Sequence, residues 1–328
     1  MNIEEKYMRR ALELARHGLG NTSPNPMVGA VIVDHSGRII GEGYHRRCGE
    51  GHAEVNAIAS VADADRGALR DATMYVTLEP CSHYGKTPPC AKLIIDTGIP
   101  RVVVGAGDPF KEVAGRGIRM MREAGIEVAE GIMAAESRAL NRRFMTAHEQ
   151  QRPFVTLKWA RSTDGFMDSD RVDGQPAKFS TPLTAMLVHR LRSLHDAILV
   201  GSGTALADNP RLDCRLWPGR SPRPVVIDRR GRLDEASLRM SNPIILTDGD
   251  DLEPNLKTLY SKGITSVLVE GGAELLQSFI NSGLWDAARI ETAPFTLGSH
   301  GRVAAPQIVR HPDRTETIGG NKIEYYNN

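Results

Sequence analysis

Met74-Tyr75-Val76-Thr77-Leu78-Glu79 runs directly into Pro80-Cys81, and a second cysteine, Cys90, follows after the eight residues Ser82 to Pro89. The apolar and β-branched run reads as a buried strand that delivers Cys81 at its end. Upstream, His52-Ala53-Glu54 opens a stretch to Ser60 that reads as a helix start. A histidine at a helix start and a cysteine just past a strand are how an α/β layer brings distant ligands together. Further out, Val28–Asp34 and Ile39–Gly43 read as two apolar strands joined by a turn at Gly37. Arg101–Gly105 adds a short β-branched run and Gly117–Ala124 a helix, so strand and helix signals alternate to about Glu130. The implied class is α/β.

The residue types in this frame are those of a catalytic metal site. One imidazole and two thiols hold a zinc ion while leaving a fourth position open for a water that the metal acidifies. Such a water can displace an amino group from a heteroaromatic ring. Glu54, two residues past His52, is poorly placed as a ligand on the same face and well placed to shuttle protons. Zinc deaminases pair H-x-E with P-C-x-x-C. This chain matches the first half of that pattern and replaces the two-residue spacer by eight residues. An isolated H-x-E is a weak signal, and His with two Cys also occurs as a structural cluster; here the flanking strand and helix signals favour the catalytic reading.

With 328 residues the chain has room for two domains, each with its own core. A formal net charge of +1 without a long basic run argues against strong attraction to nucleic acid or anionic membrane. Met1 to Gly18 has a charged amphipathic helix pattern without the apolar core of a signal peptide, and no segment approaches a membrane span. A cytoplasmic enzyme is expected. Four cysteines, two of them assigned to metal, do not make a disulfide framework, which leaves Cys48 and Cys214 as plain thiols.

The polar segment Thr146–Pro153 reads as a linker, after which Phe154–Trp159 opens a second α/β unit. Three local signals follow. Lys158–Gly165 is a strand running into a Ser/Asp/Gly turn. His189–Arg192, Asp196–Thr204 and Asp208-Asn209-Pro210 read as helix, buried strand, glycine turn and polar loop. Val267–Leu275 is a strand passing through Gly271-Gly272 into a helix, whose start can hold a diphosphate. None is a Rossmann fingerprint, because Gly201-Ser202-Gly203 lacks the remaining glycine.

Thr22-Ser-Pro-Asn-Pro-Met-Val-Gly29, His52-Ala-Glu54 and Thr77-Leu-Glu-Pro-Cys-Ser-His-Tyr-Gly-Lys-Thr-Pro-Pro-Cys90 together resemble the bifunctional riboflavin-biosynthesis deaminase/reductase family. The inserted Ser82–Thr87 segment distinguishes that family among cytidine-deaminase-like folds, and the likeness covers nearly the whole chain. The resemblance implies a cytidine-deaminase-like three-layer domain over residues 1–147. It implies a dihydrofolate-reductase-like α/β domain over 148–328 that uses NADPH. Zinc on His52, Cys81 and Cys90, with Glu54 as the proton-transferring residue, would deaminate a phosphoribosylamino diaminopyrimidine. Asn25, His45, His83, Lys86 and Asp108 would position that substrate, Lys86 at its phosphate. The second half would then reduce the ribosyl arm to ribityl. Arg192, Leu212, Arg215 and Glu270 would touch substrate, the two arginines at its phosphate. Lys158, Arg161, Lys178, Thr204, Asp208 and the turn Gly272, Ala273, Glu274, Leu275, Leu276, Gln277, Ser278 would lie along NADPH. Two departures stand out: Asp108-Pro109-Phe110 where the family commonly has Asp-Pro-Asn, and Pro176-Ala-Lys-Phe-Ser180 where many members have Ser-x-Trp-Ile-Thr.

Three other readings compete. A nucleic-acid-editing zinc deaminase would carry P-C-x-x-C and a basic groove. A structural zinc module would fill all four positions with protein ligands, Cys48 being a conceivable fourth. A deaminase with an impaired reductase half is the third, prompted by Pro176. The partner expected on the main reading is a small phosphorylated pyrimidine, with a sheet edge or exposed helix pairing copies of the chain into a homo-oligomer.

Overall fold

Strand residues in the first half sort alternately between two helix layers. The order is α1 (Ile3–Ala15), β1 (Gly29–Val33), β2 (Ile39–Tyr44), α2 (Ala53–Ala59), β3 (Thr73–Leu78), α3 (Cys90–Thr97) and β4 (Arg101–Ala106), then α4 (Arg116–Glu123), β5 (Glu127–Glu130), α5 (Ala134–Leu140) and α6 (Arg142–Gln150). The computed structural model describes residues 2–84, 88–110, 114–172, 174–247 and 251–328. The sheet order is β2-β1-β3-β4-β5, with β1 antiparallel to both neighbours and β3, β4 and β5 parallel. Ala30, Ile32, Met74, Val76, Val102 and Val104 share one core with Ala53, Ala57, Ile94 and Ile118 of α2, α3 and α4. Val31, Val33, Tyr75 and Val103 turn the other way, onto Tyr7, Met8, Ala11 and Leu12 of α1. Period-two alternation between two apolar faces is what a sheet covered on both sides requires. The result is the expected three-layer unit.

Two side-chain devices fix the parts that carry the site. A Cβ on Gly43 would lie 2.3 Å from the Ala57 nitrogen and 2.5 Å from the Ala53 oxygen, so only glycine lets α2 press this closely on β2. Asn141 accepts from the Met27 N–H and donates to the Met27 carbonyl, both at 2.8 Å, and so anchors the loop that carries Asn25.

The segment expected as a linker is mostly helix. Residues 142–150 form α6, with Met145 and Ala147 buried, and only 151–153 separate it from the next strand. Polar composition is compatible with a helix that buries one narrow face. Contacts divide the chain into two compact units, Met1–Gln150 and Gln151–Asn328.

The second unit contains β6 (Phe154–Arg161), β7 (Phe166–Ser169), α7 (Pro182–Ser193), β8 (Ala197–Gly201), α8 (Ser202–Asp208), β9 (Arg223–Ile227), β10 (Ile244–Leu246) and α9 (Leu252–Ser261). It continues with β11 (Ser266–Val269), α10 (Ala273–Ser282), β12 (Ala287–Thr292), β13 (Gly301–Ala304), β14 (Arg314–Ile318) and β15 (Asn321–Asn327). The main sheet runs β10-β9-β8-β11-β6-β12-β15-β14, parallel from β10 to β12 and antiparallel beyond. Parallel pairing puts the C-terminal ends of β6, β11, β8 and β9 along one edge, where α/β sheets bind ligands. The loops leaving that edge carry the three signals read from the sequence. Among the described residues, no helix is long and apolar enough to cross a membrane.

Candidate active sites

The metal donors converge from three elements. His52 is the N-cap residue of α2, Cys81 follows β3, and Cys90 is the first residue of α3. Cys81 Sγ lies 3.6 Å and Cys90 Sγ 3.4 Å from His52 Nδ1, and the three donor atoms all fall within 4.8 Å of one another. Tetrahedral zinc with Zn–N of about 2.0 Å and Zn–S of about 2.3 Å needs N···S separations of about 3.5 Å. The donor set and its spacing therefore fit zinc. Cys48 is exposed and stands outside the cluster, so no fourth protein donor joins it among the described residues. An open fourth position is the mark of a catalytic rather than a structural site. Hydrogen bonds from Cys90 and His52 hold the Cys81 thiol well below its ordinary range, while Cys81 and burial push Cys90 upward.

Glu54, in the first turn of α2, is buried at 3% exposure. Burial, with the Cys81 thiolate adding to it, pushes its carboxyl up to about 7. That suits a group that must take and return a proton near neutrality. His45 packs edge-on against His52, ring centroids 5.3 Å apart. Its Nδ1 donates to the Gly51 carbonyl at 3.2 Å and its Nε2 accepts from Asn25 Nδ2 at 3.3 Å, while burial keeps it neutral. Asn25, His45 and His52 thus lie side by side.

Asp108 lies beyond β4, where burial raises its pKa while the Phe110 N–H and, less strongly, His83 oppose that rise. Its Oδ1 accepts from the Phe110 N–H at 2.8 Å. Phe110 itself packs edge-on against His148. Lys86 lies outside the described residues. One organiser escaped sequence reading: Glu79, 4% exposed, accepts N–H bonds from Gly115 and Gly117 at 3.0 Å and from Asp108 at 3.3 Å. Its carboxylate thereby ties the Asp108 loop and the start of α4 to the end of the strand that delivers Cys81.

The second unit holds a cavity of about 760 Å³ at the C-terminal strand edge. Of the residues expected along NADPH, Lys158, Thr204, Asp208, Gly272, Ala273, Glu274, Leu275 and Ser278 line it. Leu276 is fully buried in the core and Gln277 bonds Asn281, as a helix that turns every 3.6 residues requires. Arg161 reaches Glu324 at 3.1 Å, and Lys178 is exposed; neither lines the cavity. Pro176 does line it.

Of the expected substrate contacts here, Glu270 lines the cavity and binds Arg192 in a two-pronged pair, Nε–Oε1 2.9 Å and Nη2–Oε2 2.7 Å. Burial opposes ionisation of Glu270, but Arg192 and Lys158 outweigh it and hold the carboxyl at about 2. Burial lowers the Lys158 ammonium, and Glu270 counteracts that in part. Leu212 is buried with φ +54°, and Arg215 pairs with Asp213 at 2.5 Å; neither is part of the cavity wall. The wall also contains Arg171, Arg229 and Arg232, which the sequence reading did not single out. The one signal for Arg229 and Arg232 is the basic cluster Arg229-Arg230-Gly231-Arg232, one residue after an apolar strand; nothing local marks Arg171.

Residues 1–106 match the cytidine and deoxycytidylate deaminase zinc-binding region, and residues 153–313 match the RibD C-terminal domain. The riboflavin biosynthesis protein RibD of Bacillus amyloliquefaciens is 39% identical, over 94% of this chain and 88% of that protein. The Escherichia coli (strain K12) protein of the same name is 37% identical, over 91% and 90%. A crystal structure of a diaminohydroxyphosphoribosylaminopyrimidine deaminase/5-amino-6-(5-phosphoribosylamino)uracil reductase from Thermotoga maritima superposes with a TM-score of 0.82 at 37% identity, covering 98% of both chains. Acinetobacter baumannii RibD superposes at 0.85 with 31% identity, covering 99% of this chain and 98% of that one.

Proposed function

The chain belongs to the RibD family of bifunctional riboflavin-biosynthesis enzymes, deaminase and reductase with zinc and NADPH as cofactors, and from that premise we propose the substrate and the residues that act on it. The substrate is the diaminopyrimidinone that carries a phosphoribosylamino arm. It loses its ring amino group in the first half and has its ribosyl arm reduced to ribityl in the second. The domain division follows the same premise, a deaminase over 1–147 and a reductase over 148–328.

The observation that carries the deaminase reading is the convergence of His52, Cys81 and Cys90 at metal spacing beside buried Glu54. Zinc, if held by His52, Cys81 and Cys90, would supply a water acidic enough to act near neutral pH. Glu54 would accept one proton of the attacking water and deliver it to the ring nitrogen, then carry the second, from the hydroxyl added to the ring carbon, to the departing amino group, so that one water is consumed and one ammonia released. Neutral His45 and Asn25, locked to each other, present fixed polar atoms to the pyrimidine, and Asp108, His83 and Lys86 complete its surroundings. In the reductase half, opening of the sugar ring leaves a carbon that accepts hydride and a ring oxygen that needs a proton. Lys158, which lines the cavity with Glu270, would lie along NADPH and could supply it. Arg192, already paired with Glu270, and Arg215 address the phosphate.

We place the enzyme in the cytoplasm as a homo-oligomer, with β14 offering the terminal strand edge, a state that light scattering measures. The deciding experiment is a two-stage assay on zinc-loaded protein given the phosphoribosylamino diaminopyrimidinone. Ammonia release without NADPH, followed by NADPH oxidation only after deamination, is the expected result. Absence of ammonia from zinc-loaded protein would overturn the deaminase reading.

A further inference from the structure

Glu291, on β12, is fully buried yet stands outside the cavity wall. A carboxylate in such a place needs partners. Asn321, at the start of β15 and 2% exposed, donates from Nδ2 to Glu291 Oε1 at 2.6 Å and to the Phe179 carbonyl at 2.9 Å. Phe179 lines the reductase cavity, so one amide ties the carboxylate to the cavity wall. Arg289 adds a single contact, Nη1–Oε2 at 3.2 Å, and its Nη2 has no hydrogen-bond partner among the described residues. Burial opposes ionisation of Glu291, but the hydrogen bonds of Thr184 and Asn321, with Lys158 and Arg289, outweigh it and hold the carboxyl below its ordinary value.

The register of β12 on β6 aims this charge. Lys158 pairs with Arg289 and Ala160 with Glu291, while Trp159 and Ile290 between them turn into the core. Lys158, Ala160, Arg289 and Glu291 therefore share the other face, with Glu291 one strand over from Lys158 and two residues along, a diagonal that long side chains span. The charged groups that face the Lys158 ammonium are Glu270 just past β11, Arg192 on α7, and Arg289 and Glu291 on β12. Burial disfavours the ammonium; the two carboxylates oppose that loss and the two arginines add to it. The carboxylates differ in how far they are compensated. Arg192 engages Glu270 through two bonds, at 2.9 and 2.7 Å, whereas Arg289 touches Glu291 once. Charge left uncompensated on Glu291 is what stabilises an ammonium on the same face.

We propose that Glu291 is a positioning residue of the reductase, held by Asn321 behind the cavity wall so that its charge anchors the Lys158 ammonium for proton delivery to the oxygen released from the sugar ring. The two electrons arrive on the sugar carbon with the hydride of NADPH, and the ammonium proton completes the new hydroxyl. This role rests on the reading of Lys158 as the source of that proton.

The test is reduction of supplied deaminated intermediate by the full chain at saturating NADPH, followed as kcat/KM from neutral to alkaline pH, alongside the melting temperature of each variant. Wild type should lose activity along an alkaline limb as the Lys158 ammonium deprotonates. Glu291→Gln keeps the side-chain shape and an acceptor for Asn321, and should move that limb to lower pH by about one pH unit. Arg289→Met removes a cation instead and should move the limb to higher pH. General loosening of the fold would not produce opposite shifts. A limb that stays at its wild-type position in either variant, or moves the same way in both, while Lys158→Met removes it, overturns the role of Glu291 alone. Should Glu291→Gln not fold, an Arg289→Met limb that fails to rise overturns it equally. A limb that persists in Lys158→Met overturns the reading of Lys158 as the proton source, and this role with it.

Discussion

The two catalytic halves store their chemistry differently. In the first, side chains are the site: His52, Cys81 and Cys90 meet within 4.8 Å, and Glu54 is sealed beside them. In the second, the cavity is made by the ends of parallel strands and a glycine turn, and its side chains serve mainly to fix charge. A site made of donor atoms demands particular residue types at particular spacings. A site made of backbone demands a topology, and many sequences supply one. The first kind is therefore fragile to single substitutions, and the second resists most of them.

The largest expected effect breaks one half and spares the other. Stripping zinc with a chelator should abolish ammonia release while NADPH oxidation on supplied deaminated intermediate continues unchanged; parallel loss of both would show that the reductase half also depends on the metal site. Next, Glu54→Gln should lower ammonia release by about 10²- to 10⁴-fold, the range of a lost general acid–base. Zinc content measured by a colorimetric chelator should stay at one per chain. Zinc lost along with activity would make Glu54 a ligand instead of a proton carrier.

Legibility followed the same division. His52-Ala-Glu54 and the Cys81/Cys90 pair could be read because thiolate and imidazole are what zinc binds, and the strands around them alternate cleanly, as Ala30/Ile32 against Val31/Val33 shows. The contiguous stretch 272–278, expected along NADPH, is harder to read. A helix points only some of its residues at a ligand, and Leu276 turns into the core. Glu79 read as the end of a strand, since nothing local to it marks a carboxylate that accepts N–H bonds from residues 29 to 38 positions away. The Thr146–Pro153 segment read as a linker because its polar residues conceal the buried face of α6. Arg229 and Arg232 join the cavity wall only because the sheet order brings β9 beside β8, a placement that no local pattern shows.

A third effect, in stability, sharpens the contrast by probing a charge pair in the reductase half. Glu270→Gln leaves Arg192, at 13% side-chain exposure, without its carboxylate and should destabilise the second half by about 3 kcal/mol at neutral pH. The sign with pH follows from the folded carboxyl lying at about 2, below its ordinary 4.5. Stability from the ionised pair is fully present above pH 4.5 and declines as pH falls from there toward 2. Denaturant unfolding across that range should show wild type and Glu270→Gln converging as the solution is acidified. A gap that stays constant would mean that the substitution acts through packing and not through charge.

The smallest expected effect falls three residues along one strand from a cavity residue. Lys158 lines the cavity, whereas Arg161 donates to Thr292 Oγ1 at 3.1 Å and to Glu324 at 3.1 Å. An odd offset on a strand sends side chains to opposite faces, so membership of the same motif does not give the two residues the same partner. Glu324 also accepts from Lys322 at 2.7 Å and would keep a cation after Arg161→Gln, which limits the stability loss to about 1 kcal/mol. NADPH affinity should not change, while Lys158→Met should weaken it. A loss of NADPH affinity in Arg161→Gln would give Arg161 a cofactor role. It would also show that the Glu324 pair opens when the nucleotide binds, so that even in the half made of backbone a side chain at the strand end carries part of the site.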